Sequence, residues 1–152
     1  MKQSPNKSQI EDKMKPSRFS KDGFLGDDTR TLVDIIHQDH LDVMQMGLTH
    51  EMIANRMKQF TEIGKKNLGE WVDVEKIYQV KVDDYMGRIP CPFSDNFFAT
   101  KTNTTFKNLE LDEEVTWTEL NIHMISEHGF YEGKGASFRI EPKYIAKLLN
   151  IG

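Results

Sequence analysis

Between Gly64 and Gly69 the apolar residues of this chain change their period, and that change limits the fold more than any single motif does. Before it, apolar side chains recur every three or four residues. After it, Tyr78, Val80 and Val82 alternate with Gln79, Lys81 and Asp83. The first pattern places apolar groups along one stripe of a helix, and the second places them on one face of a strand. A helical half must therefore precede a sheet.

In the helical half, Asp27 or Asp28 is expected to cap a helix that runs to about Met46 and is closed by Gly47. Its apolar arc holds Leu32, Val33, Ile35, Ile36, Val43, Met44 and Met46, with Asp39 and His40 inside the arc. Leu48 and Thr49 make a turn, and Thr49 caps a second helix over residues 50–63. The inner face of that helix is expected to be Met52, Ile53, Met57, Phe60 and Ile63, with Arg56 among them. So short a turn forces the two helices together, and an inward Asp39 and an inward Arg56 are predicted to pair. The turn also has the rhythm of a DNA-binding helix-turn-helix. Its outward face, however, is Glu51, Asn55, Lys58, Gln59 and Glu62, which is mixed rather than basic.

Prolines on both sides of Cys91 predict an extended, irregular run there, with ladder pairing interrupted. Residues 104–111 and 115–118 are predicted as strands joined by a turn at 112–114. They lead into a central helix from Glu119 to His128, capped by Thr118 and stopped by Gly129. Residues 137–141 read as another short strand. Pro142 opens a last helix whose stripe is Tyr144, Ile145, Leu148 and Leu149. The predicted class is α+β: an N-terminal helical hairpin packed with a small antiparallel sheet, a central helix and a C-terminal helix.

With 152 residues and 38% apolar content, the chain is long enough for one domain with a real core and too short for two comfortable ones. Residues 23–152 are expected to form a single α+β domain. Residues 1–22, rich in Lys, Ser, Gln and Pro, are expected to form a flexible basic tail with little to bury. That tail holds six Lys/Arg against three Asp/Glu; its +3 in a chain of −4 leaves −7 for the remainder. An acidic body argues against nucleic acid and against an anionic membrane surface as partners. One cysteine rules out an intrachain disulfide and points to a reducing, cytoplasmic setting. No apolar run approaches the roughly 18 residues of a membrane span.

The densest chemistry lies between Thr116 and Arg139. Within the central helix, Asn121 and His128 point into the apolar arc, whereas His123 falls on the opposite side between Glu119 and Glu127 and reads as solvated. After the helix, Gly133 and Gly135 flank Lys134, followed by Ser137 and Arg139. Glycines let backbone amides approach an anion and the cations add charge, so these five residues with Asn121 form the candidate ligand-binding set. The loop is expected to fold back over the helix C-terminus and bring Glu132, Lys134 and Arg139 to His128. A candidate catalytic set is His128, Glu132 and Cys91, although no basic neighbour in sequence activates the thiol. No metal ligands are assigned. His37 and His40, three apart, are about 60° apart on a helix, but His123 and His128, five apart, are about 140° apart and should not share an ion unless the helix breaks. The lone cysteine also lacks the paired spacing of zinc sites. No residue pattern names a cofactor. The function these residues suggest is a binding or regulatory module for a polar or anionic small molecule or a protein partner. The alternative is a small hydrolase or transferase, metal-dependent or not.

Overall fold

The computed structural model describes residues 5–15 and 23–152. The change of period marks the join between helices and sheet. Helix α1 spans Pro5–Met14, α2 Leu32–Gln45 and α3 His50–Lys65. The strands β1 (Val72–Val74), β2 (Tyr78–Pro90), β3 (Phe98–Asn108) and β4 (Glu113–Thr118) follow, and then α4 (Glu119–His128) and α5 (Pro142–Leu148). The sheet is antiparallel throughout, in the order β1-β2-β3-β4. The chain is thus α+β, and its helices and sheet follow broadly the order expected. Among the described residues no helix is long and apolar enough to cross a membrane.

One face of the sheet receives α3 and α4. Gly64 makes the approach of α3 possible, because a Cβ there would meet Val82 Cγ2 at 2.5 Å. The rings of Phe60 and Phe106 lie 4.6 Å apart, and Tyr78 and Trp117 continue the cluster. Trp117 buries its indole fully, yet its Nε1 donates to Thr61 Oγ1 at 2.9 Å, and Thr61 shares a 2.7 Å hydrogen bond with Thr104. Burying the ring leaves no donor unsatisfied, which is what makes a buried tryptophan favourable. A second cluster joins α2 and α4 through Leu32, Ile35, Leu120, Met124 and Phe130, and it includes Cys91 and Phe93 from the loop between β2 and β3.

Several expectations are corrected by packing. The cap of α2 is Thr31, whose hydroxyl accepts from the Asp34 amide, because Asp28 is engaged by Arg30 at 2.6 Å. Met52 and Tyr144 are exposed rather than inward. The β2–β3 ladder does not stop before Cys91; a bulge at Tyr85/Arg88 absorbs the irregularity and pairing resumes as far as Pro90 opposite Phe98. Proline sits at the strand's last position, where a missing donor interrupts nothing beyond it. Residues 137–141 are not a strand, since the Ala136 and Arg139 amides close tight turns on the Gly133 and Ala136 carbonyls. Within the segment expected to be a tail, residues 5–14 form α1, which buries Ile10 and Met14. Residues 1–4 and 16–22, the rest of that expectation, lie outside the described residues.

The partner of Asp39 is also different. Asp39 is buried, as expected, but its carboxylate accepts both guanidinium nitrogens of Arg139, at 2.5 and 2.9 Å. Arg56 instead donates to the Leu149 carbonyl and lies over the Phe60 ring. The inner side of α2 faces the C-terminal segment at this level rather than α3. Removing one side of a buried pair strands the other charge. Arg139→Ala is therefore expected to lose about 3–5 kcal/mol, with strong coupling to Asp39→Ala in a double-mutant cycle by urea unfolding. Arg56→Ala combined with Asp39→Ala should be additive, and coupling there above about 1 kcal/mol would contradict the pairing.

Candidate metal centre

The loop between β2 and β3 is closed by the Cys91 amide, which donates to the Phe97 carbonyl at 2.9 Å. Pro92 presets a turn in which the Ser94 amide returns to the Cys91 carbonyl. Ser94 and Asn96 both take left-handed backbone angles, φ 59° and 64°, so the chain reverses direction on either side of Asp95. Asp95 fixes its own carboxylate by accepting the Phe97 amide on Oδ1 at 3.1 Å. That leaves Oδ2 facing α4.

Helix α4 presents two imidazoles to this oxygen. His123 Nε2 and His128 Nε2 each donate to Asp95 Oδ2 at 2.7 Å. The rings are clamped by the aromatic residues two positions either side of the aspartate. Phe97 stacks on His123 with centroids 3.7 Å apart, and Phe93 stacks on His128 at 4.0 Å. Cys91 completes the group: one ligand atom from each of Cys91, Asp95, His123 and His128 lies within 4.8 Å of all the others. His123 is thus not solvated, its side chain being 13% exposed. The helix need not break either. Its last helical residue is His128, and both rings lean from their separate faces toward a carboxylate that a different element places between them.

The electrostatics of the group follow from burial and from these contacts. Burial pushes the Cys91 thiol up to about 11, and Asp95 beside it adds to the rise, against an opposing hydrogen bond from the Phe93 amide. A neutral thiol at physiological pH is a poor nucleophile. Burial also works to raise Asp95, but hydrogen bonds from His128 and His123 outweigh it and hold the carboxyl well below the usual carboxylate range. One sulfur, two imidazole nitrogens and one carboxylate oxygen suit a tetrahedral divalent ion of the zinc class. Bonds of about 2.0–2.3 Å separate neighbouring donors by roughly 3.3–3.8 Å, so Asp95 Oδ2 would draw back by about 1 Å and the Nε2 atoms would give up their protons. A thiolate and a carboxylate then neutralise a dication.

The other residues singled out from the sequence lie elsewhere. Asn121 is fully buried and closes a capping box with Thr118, and its Nδ2 donates to Glu132 Oε2 at 2.9 Å. The glycine loop turns toward residues 24–28 instead of His128. Gly133 donates its amide to the Phe24 carbonyl, the Lys134 amide goes to Asp28 Oδ2, and the Asp27 amide returns to the Lys134 carbonyl. A side chain on Gly133 would run into the Leu25 backbone, and one on Gly135 into Asp27. These glycines serve a close chain crossing that engages the Gly133 and Lys134 amides. Lys134 and Ser137 are exposed, and Arg139 is taken by Asp39 and Glu141. Of the three candidate catalytic residues, the structure brings His128 and Cys91 together and leaves Glu132 with Asn121. His37 is exposed, and His40 pairs with His50 at 3.1 Å rather than with His37. Asp95 and His123 were missed. The available signal was an aspartate four residues after Cys91, with phenylalanine two positions away on each side.

Compared with protein-family models, with curated proteins and with solved structures, the chain gives no match.

Glu132 generates a test of the core beside the site. It is 4% exposed, and burial raises its carboxyl from 4.5 to about 7, against the Asn121 hydrogen bond and the Arg139 charge. Between those two values the unfolded chain ionises while the folded one keeps its proton. The contribution of Glu132 is thus fully present below pH 4.5 and is lost as pH rises to 7, by about 3 kcal/mol at most. Glu132→Gln should match the parent protein near pH 4 and exceed it in stability at pH 8. Equal differences in urea midpoint at both pH values would contradict the buried, raised carboxyl.

Proposed function

We propose that this chain is a metal-binding regulatory module in which one divalent ion of the zinc class fastens the β2–β3 loop to α4. The observation that carries the reading is the convergence of four chemically suitable donors, from two elements distant in sequence, within 4.8 Å of one another. Chance proximity of exposed acids does not resemble it. The cysteine is buried, both histidines are stacked on phenylalanines, and the aspartate is oriented by a backbone amide. Four protein donors fill a tetrahedral shell and leave no position for an activated water, which favours a structural or regulatory ion over a hydrolytic one. A thiol raised to about 11 argues against Cys91 as a free nucleophile.

Protein purified without chelator is expected to contain one zinc per chain by elemental mass spectrometry. Zinc added to the chelated protein at about 100 times its dissociation constant contributes about 2.7 kcal/mol, which raises Tm by roughly 5–10 °C in a chain of this size. Cys91→Ser and His128→Ala should abolish that rise, whereas His37→Ala should retain it. Substoichiometric metal with no thermal shift would mean that the Asp95 hydrogen bonds hold the loop unaided, and would overturn the proposal.

A further inference from the structure

The loop that carries Cys91 and Asp95 is also the seat of α1. Ile10 and Met14, at 6% and 0% exposure, are buried in the same cluster as Cys91, Phe93 and Phe130. Lys13 Nζ donates to Ser94 Oγ at 2.8 Å, and Lys7 Nζ lies 5.2 Å from the centre of the Phe93 ring. Phe93 is therefore held between the imidazole of His128 on one side and α1 on the other. Two contacts tie α1 to residues 24–32 as well: the Glu11 carboxylate accepts the Leu32 amide, and the Met14 carbonyl accepts the Phe24 and Leu25 amides.

From this arrangement, and resting on the metal reading above, we infer that the ion controls whether α1 is docked. A ten-residue helix is below the length at which a helix persists alone in water, so α1 is helical only while its seat exists. The seat depends on a loop with two non-glycine residues at left-handed angles, Ser94 and Asn96, each of which costs on the order of 1 kcal/mol and persists only when surrounding contacts impose it. The ion supplies those contacts. It fixes Cys91, Asp95 and His128 together, and with them the Phe93 ring that α1 covers. Loss of the ion lets the loop relax and α1 leave, which uncovers Ile10, Met14 and Phe93 as an apolar face. Coupling of this kind is reciprocal, so undocking α1 must weaken metal binding by the same factor.

Hydrogen exchange of the full chain, with zinc and then with EDTA, tests the inference, metal content being measured on the same samples. Amides of residues 5–15 should exchange at least tenfold faster in EDTA while those of α3 and of β3 opposite β4 stay protected. In the reciprocal arm, Ile10→Ala/Met14→Ala should weaken zinc affinity about tenfold in competition with a chromophoric chelator. Should that variant fold poorly, Lys7→Ala/Lys13→Ala removes the contacts to Phe93 and Ser94 while keeping Ile10 and Met14, and a weakening of about threefold is expected. If zinc binds stoichiometrically and the exchange of residues 5–15 is unchanged, the coupling is wrong and the metal site stands. If no zinc binds, both fall. Uniform acceleration along the whole chain would also overturn the inference, because the ion would then govern the entire fold rather than α1.

Discussion

The carboxylate of Asp95 is the point on which the arrangement around α4 turns. One of its oxygens accepts the Phe97 amide, which sets the shape of the loop, and the other accepts both His123 and His128. An anion so placed is satisfied on both oxygens, and the hydrogen bonds more than offset the cost of partial burial. Phe93 and Phe97 then find imidazoles to stack on, because the aspartate between them holds the loop at the right height above the helix. Removing the carboxylate would take away the group that links the loop to both imidazoles of α4.

A second polar junction lies elsewhere in the molecule. Asp39 on α2 and Arg139 on the segment before α5 form a two-point ion pair, and Arg139 also donates to the Glu132 carbonyl at 2.7 Å. This junction is nearly sealed from water, with the two side chains 2% and 9% exposed. The Asp95 junction is more open, with side-chain exposures of 13–25%. A sealed pair fixes one packing of the C-terminal segment, whereas a half-open donor cluster can exchange protons and an ion with solvent.

What was legible in the sequence was local. Thr118 and Gly129 mark the ends of α4 to the residue because an N-cap hydroxyl and a left-handed glycine act within one turn of their own positions. Alternation along β2 shows its buried face for the same reason. Long-range partners were not legible. Arg139 lies 100 residues from Asp39, whereas Arg56 is on the helix next in sequence, the range that helical periodicity reaches. The glycine loop had the composition of an anion site, but its Gly133 and Lys134 amides go to Phe24 and Asp28, which no pattern within the loop reveals. The angle between His123 and His128 is real, yet it constrains Cα positions and not the reach of two imidazoles toward a third element. Ile10 and Met14 are too few to fold a tail by themselves. They become sufficient once the 91–97 loop provides a surface to bury them.

X-ray absorption at the zinc edge of the loaded protein shows whether Cys91, Asp95, His123 and His128 bind one ion together. A four-coordinate site is expected, with one sulfur at about 2.3 Å and three nitrogen or oxygen donors at about 2.0–2.1 Å, the sulfur being lost in Cys91→Ser. A spectrum without sulfur, or with six light donors at longer distance, would place the ion elsewhere and contradict the shared site.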